Sequence, residues 1–294
     1  MKFSFRESVV PYARWEMFFM RLIVLWPCWS LIERQVVNVQ KKPNGLAYFV
    51  DLTFLANSQV QSALVIAFLV AGFFYVIDRL GLLALAIITA IMVAKGTLIN
   101  SQGAINHSLQ LLTLVMLVQL VVQIVSAIKK WPDLQKQIQS IHWVKVVIVA
   151  SYVSSAFVKL FASSEFWVAR VPYLALQIIK SNLQAYYTDL EPMATGWVAA
   201  FPYWVANNPN LARIFFSGGL LLELFAFLIL INRRWAFGMG LVILLFHESI
   251  SYLMAIDFKN HVWLVAIFLI NVPWLIFSAY GFLTKRKVSQ LNAS

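Results

Sequence analysis

Several residues that could carry acid–base chemistry stand where the surrounding sequence should not tolerate them. Lys159 closes "SYVSSAFVKLF" (Ser151–Phe161), which continues the apolar run "WVKVVIVA". Glu223 interrupts "GGLLLELFAFLILI", and His247 and Glu248 lie in the middle of "GLVILLFHESISYLMAI". His107 opens "INHSLQLLTLVMLVQL", flanked by Asn106 and Ser108. A charge at the centre of a membrane span costs about 2.5–3.5 kcal/mol on insertion scales, so such residues mark either function or a structural pair.

Spacing sorts them. Tyr152, Ser155 and Lys159 fall at i, i+3 and i+7 and share one helix face. A lysine desolvated on that face would favour the neutral amine, which can act as a base. The competing reading is that Lys159, near a span end, reaches the membrane interface. Asn106 and His107 read either as a helix-start cap or as part of a site. Glu223 must be paired or protonated, either in a site or with a basic residue of another helix. Gly218 and Gly219, one turn earlier, permit close helix approach. His247, Ser251 and Met254 share one face of their helix, Glu248 and Tyr252 another. Two ionisable residues at mid-depth predict an interior polar network. No metal site is expected, since no histidine pair has i, i+4 spacing. His142 and His261, at span ends, read as interfacial.

The elements that hold these residues are helices. The chain has 294 residues, 61% hydrophobic and only 12% charged, against about 45–50% apolar for a soluble domain. The expected fold is all-α, a polytopic membrane bundle of about eight transmembrane helices in one domain over residues 1–294. Stretches long enough to cross a bilayer run over Trp15–Ile32, Val60–Ile77, Leu80–Ala94, His107–Ile128, Trp143–Phe161, Leu211–Ile231, Trp235–Met254 and His261–Phe282. The first apolar run lacks a small-residue cleavage site and predicts a retained span. Phe166–Lys180 is apolar but short and reads as interfacial or re-entrant. The stretch Ala162–Asn210 reads as a long outside loop on the membrane surface, able to roof a pocket.

The net charge of +11 comes from scattered basic residues and forms no nucleic-acid patch. It reads as topology instead. Segments with Lys2, Arg6, Arg14, Arg79, Lys129, Lys130, Lys136, Arg233, Arg234 and the Lys285-Arg286-Lys287 cluster outweigh the opposite set, which includes Lys95. Both termini are therefore expected in the cytoplasm. Cys28 is the only cysteine, which excludes an intramolecular disulfide.

Three stretches carry a family resemblance: "YVSSAFVKLFASSEFWVA", "INHSLQLLTLVMLVQL", and "GGLLLELFAFLILINRRWAFGMGLVILLFHESISYLMAIDF". In this order they resemble the HTTM (horizontally transferred transmembrane) domain, the membrane part of vitamin K-dependent gamma-carboxylase and its bacterial relatives. The resemblance implies that Lys159 is a catalytic base, with His107 and His247 beside it in an outward-facing active site. Asn106, Tyr152, Ser155, Glu223 and Glu248 would support them. The cofactor implied is a reduced quinone, a vitamin K hydroquinone or a menaquinol. In the carboxylase, the base deprotonates the hydroquinone, oxygenation yields a stronger base that removes a proton from substrate glutamate, and carbon dioxide adds. The activity implied is therefore gamma-carboxylase-like, on carbon–carbon bonds, in a bacterial inner membrane. The partners implied are the lipid bilayer and a secreted peptide or protein. Two other classes stand beside this one: a non-catalytic membrane accessory for maturation or export of a secreted peptide, and a small-molecule carrier.

Overall fold

The computed structural model describes residues 12–34, 39, 44–103, 107–161, 167–188, 190, 192–256 and 258–276, with only the backbone described at 107 and 108. These residues form an all-α helical bundle without strands. Seven helices are long and apolar enough to cross a membrane, and they correspond in order to the first seven expected spans. Of the eighth, Lys259–Ile270 is a shorter apolar helix, residues 272–276 are again helical, and the rest lies outside the described residues. The protein has the composition and helices of an integral membrane protein.

The chain divides into two compact units. One comprises residues 8–147 and 263–294, the other 1–7 and 148–262. The first is built on α1 (Arg14–Glu33), α2 (Ser58–Val76), α3 (Gly81–Asn100), α4 (His107–Lys129) and the start of α5 (Asp133–Phe161). Asn57 caps α2, its Oδ1 accepting from the backbone N–H groups of Gln59 and Val60 at 2.8 and 3.3 Å. This satisfies donors that the helix itself cannot. The α2–α3 turn is tight, with Asp78 and Leu80 both at positive φ (57° and 50°). Asp78 receives Arg21 of α1 in an ion pair of 3.1 Å, and Tyr75 donates to Gln119 Oε1 at 2.7 Å. Arg21, Asp78, Tyr75 and Gln119 are thus satisfied by one another, as an apolar surround requires.

Lys95 corrects the charge count. Its place after the third expected span reads as an outside charge, but it is fully buried in α3. Its ammonium donates to the carbonyls of Ile32 and Arg34, at 2.5 and 3.0 Å. Those carbonyls end α1 and have no intrahelical donor, so a cation there meets both the hydrogen-bond need and the negative end of the helix dipole. Lys95 is a helix cap, not a solvent-facing topology signal.

The second unit contains the end of α5, then α6 (Trp167–Arg170), α7 (Leu174–Thr188), α8 (Gly196–Asn207), α9 (Pro209–Leu224), α10 (Arg233–Met254) and the start of α11 (Lys259–Leu264). The segment expected to be a surface loop is therefore largely helical. Its helices are too short to span, and α7 and α8 bury one apolar stripe each. Ala175 and Ile178 of α7, Phe201 and Val205 of α8, and Ala212 and Phe216 of α9 meet in one core that Met254 of α10 completes. Trp167 and Trp204 pack on its edge.

α9 continues as a six-residue 3-10 helix, Phe225–Leu230, in which Ala226 and Ile229 are fully buried. Asn232 then caps α10, accepting from the N–H groups of Arg234 and Trp235 at 2.9 and 3.0 Å. Close approach of α9 and α10 depends on Gly219. A Cβ there would stand 2.5 Å from the ring of Phe246, so only glycine leaves that ring in place.

Candidate functional site

All the described residues of the candidate site belong to the second unit. α5 supplies Tyr152 and Lys159, α9 supplies Glu223, α10 supplies His247, and α11 supplies His261. The 3.6-residue period places Tyr152 and Lys159 on one side of α5, two turns apart. Ser155 lies between them, half-buried.

Two hydrogen-bonded pairs form. Lys159 Nζ donates to both carboxylate oxygens of Glu223, at 2.6 and 2.5 Å. The Glu223 side chain is 10% exposed and that of Lys159 29%. The lysine also lies 5.6 Å from the ring centroid of Trp167, within the range of a cation–π contact. Tyr152 Oη and His247 Nε2 are 2.7 Å apart and buried.

Around His247 the walls are aromatic. Phe258 stacks on its ring at 4.5 Å and 25°. His261 lies 5.7 Å from His247 and 6.3 Å from Tyr152, centroid to centroid. With Nε2 engaged by Tyr152, His247 Nδ1 is buried and has no hydrogen-bond partner among the described residues. If Tyr152 donates, Nδ1 carries the proton and needs an acceptor. If Tyr152 accepts, Nδ1 needs a donor. Either way the site offers one unsatisfied polar atom facing an apolar surround.

The expected residues divide accordingly. Lys159, Glu223, Tyr152 and His247 are brought together, with Ser155 on the same helix face. Glu248 is exposed on α10 and does not join them, because one residue along a helix turns about 100° away from its neighbour. The expected interior network on α10 therefore runs through His247 alone. Asn106 and the side chain of His107 lie outside the described residues. His261 corrects the interfacial reading, since it packs into the aromatic cluster around His247. The four residues from Phe258 to His261 span one helical turn, a signal that could have paired those two rings but not aimed them at His247. Trp167 was also not foreseen. Among the described residues no group of three or more His, Cys, Asp or Glu side chains could hold a metal ion.

Tyr152→Phe removes one hydroxyl and leaves both nitrogens of His247 unsatisfied. We expect a loss of about 1–3 kcal/mol from the stranded polar group, read as a lowered melting temperature of the detergent-solubilised protein. No change would show that the pair does not contribute to the fold.

No family model, curated protein or solved structure matches the chain.

Proposed function

We propose that this protein is a membrane enzyme of the HTTM kind, in which the Lys159–Glu223 pair withdraws a proton from a reduced quinone. One observation carries the proposal. Helices α5, α9 and α10, apolar enough to cross a membrane, carry a part-buried lysine–carboxylate pair and a buried tyrosine–histidine pair, both anchored on one side of α5. Replacing a buried ion pair with apolar side chains is often neutral or stabilising, so a need for stability alone does not account for the pair.

The residues suit an aromatic diol. Lys159 Nζ donates to both oxygens of Glu223, so passing one of its protons to that carboxylate would leave an amine able to take the hydroquinone proton. The ammonium so formed remains beside Glu223 and Trp167. His247 Nδ1, buried without a hydrogen-bond partner among the described residues, would offer a second polar contact, and the aromatic surround of Phe258 and His261 suits a planar ring. When bound, a hydroquinone would supply the acidic hydroxyl and the reducing equivalents. The chemistry that follows is of the gamma-carboxylase kind, on glutamate of a secreted peptide, in a bacterial plasma membrane with both termini in the cytoplasm.

The test is purified protein given menaquinol or vitamin K hydroquinone, oxygen, labelled bicarbonate and a glutamate peptide. Quinol consumption coupled to label in the peptide is the expected result. Absence of both quinol binding and consumption would overturn the proposal. A reporter fused at Ser294 reads the orientation, and a periplasmic signal there would reverse it.

A further inference from the structure

The first unit holds a site of different character. An apolar groove of about 890 Å³ runs along the seam of α1 and α2. Leu22, Trp26 and Trp29 form one wall, and Phe68 and Phe73 the other, with Trp263 of α11 beside them. Gly72 forms the floor, where a Cβ would stand 3.1 Å from Leu25. The rings of Trp29 and Phe68, 6.2 Å apart, stand together at one end. The other end is Ile77, next to the Asp78-Arg79 turn.

That end is polar and basic. Arg21, Tyr75, Asp78, Gln123, Lys136 and Ser140 line a small pocket there. Arg79, Lys129 and Lys130 are exposed on the two turns that flank it. These cations, with Arg21 and Lys136, outnumber the two carboxylates, Asp78 and Asp133, to which Arg21 and Lys136 are paired. Arg79, Lys129 and Lys130 have no carboxylate among those pairs.

Dimensions choose the occupant. From Phe18 to Trp29 the groove follows about 16 Å of helix at 1.5 Å per residue. That is about half of a 30 Å hydrocarbon core, the depth of one leaflet. Hydrocarbon chains of one leaflet match that length. A chain confined to one leaflet, with a basic polar end at the surface, is the complement of an anionic lipid.

We propose that this groove is a binding site for an anionic phospholipid, with its acyl chains between α1 and α2 and its phosphate at the Arg79–Lys136 end. The site stands independently of the acid–base pairs of the second unit.

The test is native mass spectrometry of the full chain in detergent, titrated with phosphatidylglycerol or phosphatidylcholine of matched chains. Phosphatidylglycerol should be retained at least about tenfold better, the scale of roughly 1 kcal/mol for each of two basic contacts. Arg79→Ala with Lys136→Ala should remove the preference and spare chain binding. Leu69→Trp, which adds bulk to the groove wall, should remove retention of both lipids while the protein stays folded by melting temperature. Equal retention of the two lipids would overturn the proposal. So would competition by glycerol phosphate, which has a headgroup and no chains, or a dimer that phosphatidylglycerol fails to displace.

Discussion

Lys159→Arg should reduce quinol turnover by at least about 10²-fold, the lower end of what a positioned acid–base group contributes. Arginine keeps the charge and can keep a carboxylate partner, so Glu223 remains paired. It does not release its proton at any pH the protein meets, so the pair can no longer offer a neutral amine. The measurement is turnover beside membrane expression and melting temperature of the same variant. Normal folding with lost turnover is the expected combination. Full turnover would defeat the role of Lys159 as the base and leave an ion pair that only joins α5 to α9.

The second large effect concerns stability. Lys159→Met strands a carboxylate whose side chain is 10% exposed. Breaking a buried pair from one side costs about 3–5 kcal/mol, whereas exposed pairs are worth about 0–1 kcal/mol. The low exposure of Glu223 places the loss toward the upper range. Glu223→Gln strands the lysine instead. Because Lys159 is more exposed and lies beside Trp167, that loss should be the smaller. Lys159→Met with Glu223→Met should recover most of the stability and none of the turnover. The readout is thermal unfolding of the three variants in one detergent. A double variant no more stable than Lys159→Met would show that the pair's surroundings, and not the stranded charge, set the cost.

Much of this site was legible because charge inside an apolar run is expensive and helices have a fixed period. Both facts pointed to Lys159, Glu223 and His247, and the period added Tyr152. The partners were not legible. Lys159 and Glu223 are 64 positions apart, and Tyr152 and His247 are 95. Sequence distance of that order says nothing of which helix faces which. Adjacent residues mislead for a related reason: His247 and Glu248 stand on two faces of one helix and both read as members of an interior network, yet one is buried and the other exposed. Lys95 was misread because a lysine near a span end resembles an interfacial one until the carbonyls of the neighbouring helix are seen. α7 begins inside the stretch that reads as interfacial or re-entrant, and α8 inside the one that reads as surface loop, because neither is long enough to cross a membrane and their packing stripes are only a few residues each.

The 3-10 segment that follows Glu223 has a consequence for angular register. Each residue there turns about 120° instead of about 100°, so six residues swing the helix about 120° further than an α-helix would. Residues three apart then stand in a straight row along the axis. The buried positions Ala226 and Ile229 lie at that interval after Glu223, so the carboxylate heads a row that does not spiral away beneath it. The stretch also rises about 2.0 Å per residue, which lengthens Pro209–Leu230 to about 36 Å, more than a bilayer core of about 30 Å. A span that long crosses at a tilt. A single residue inserted between Glu223 and Leu230 would rotate everything beyond it by a third of a turn, exchanging the packed row for one that meets lipid.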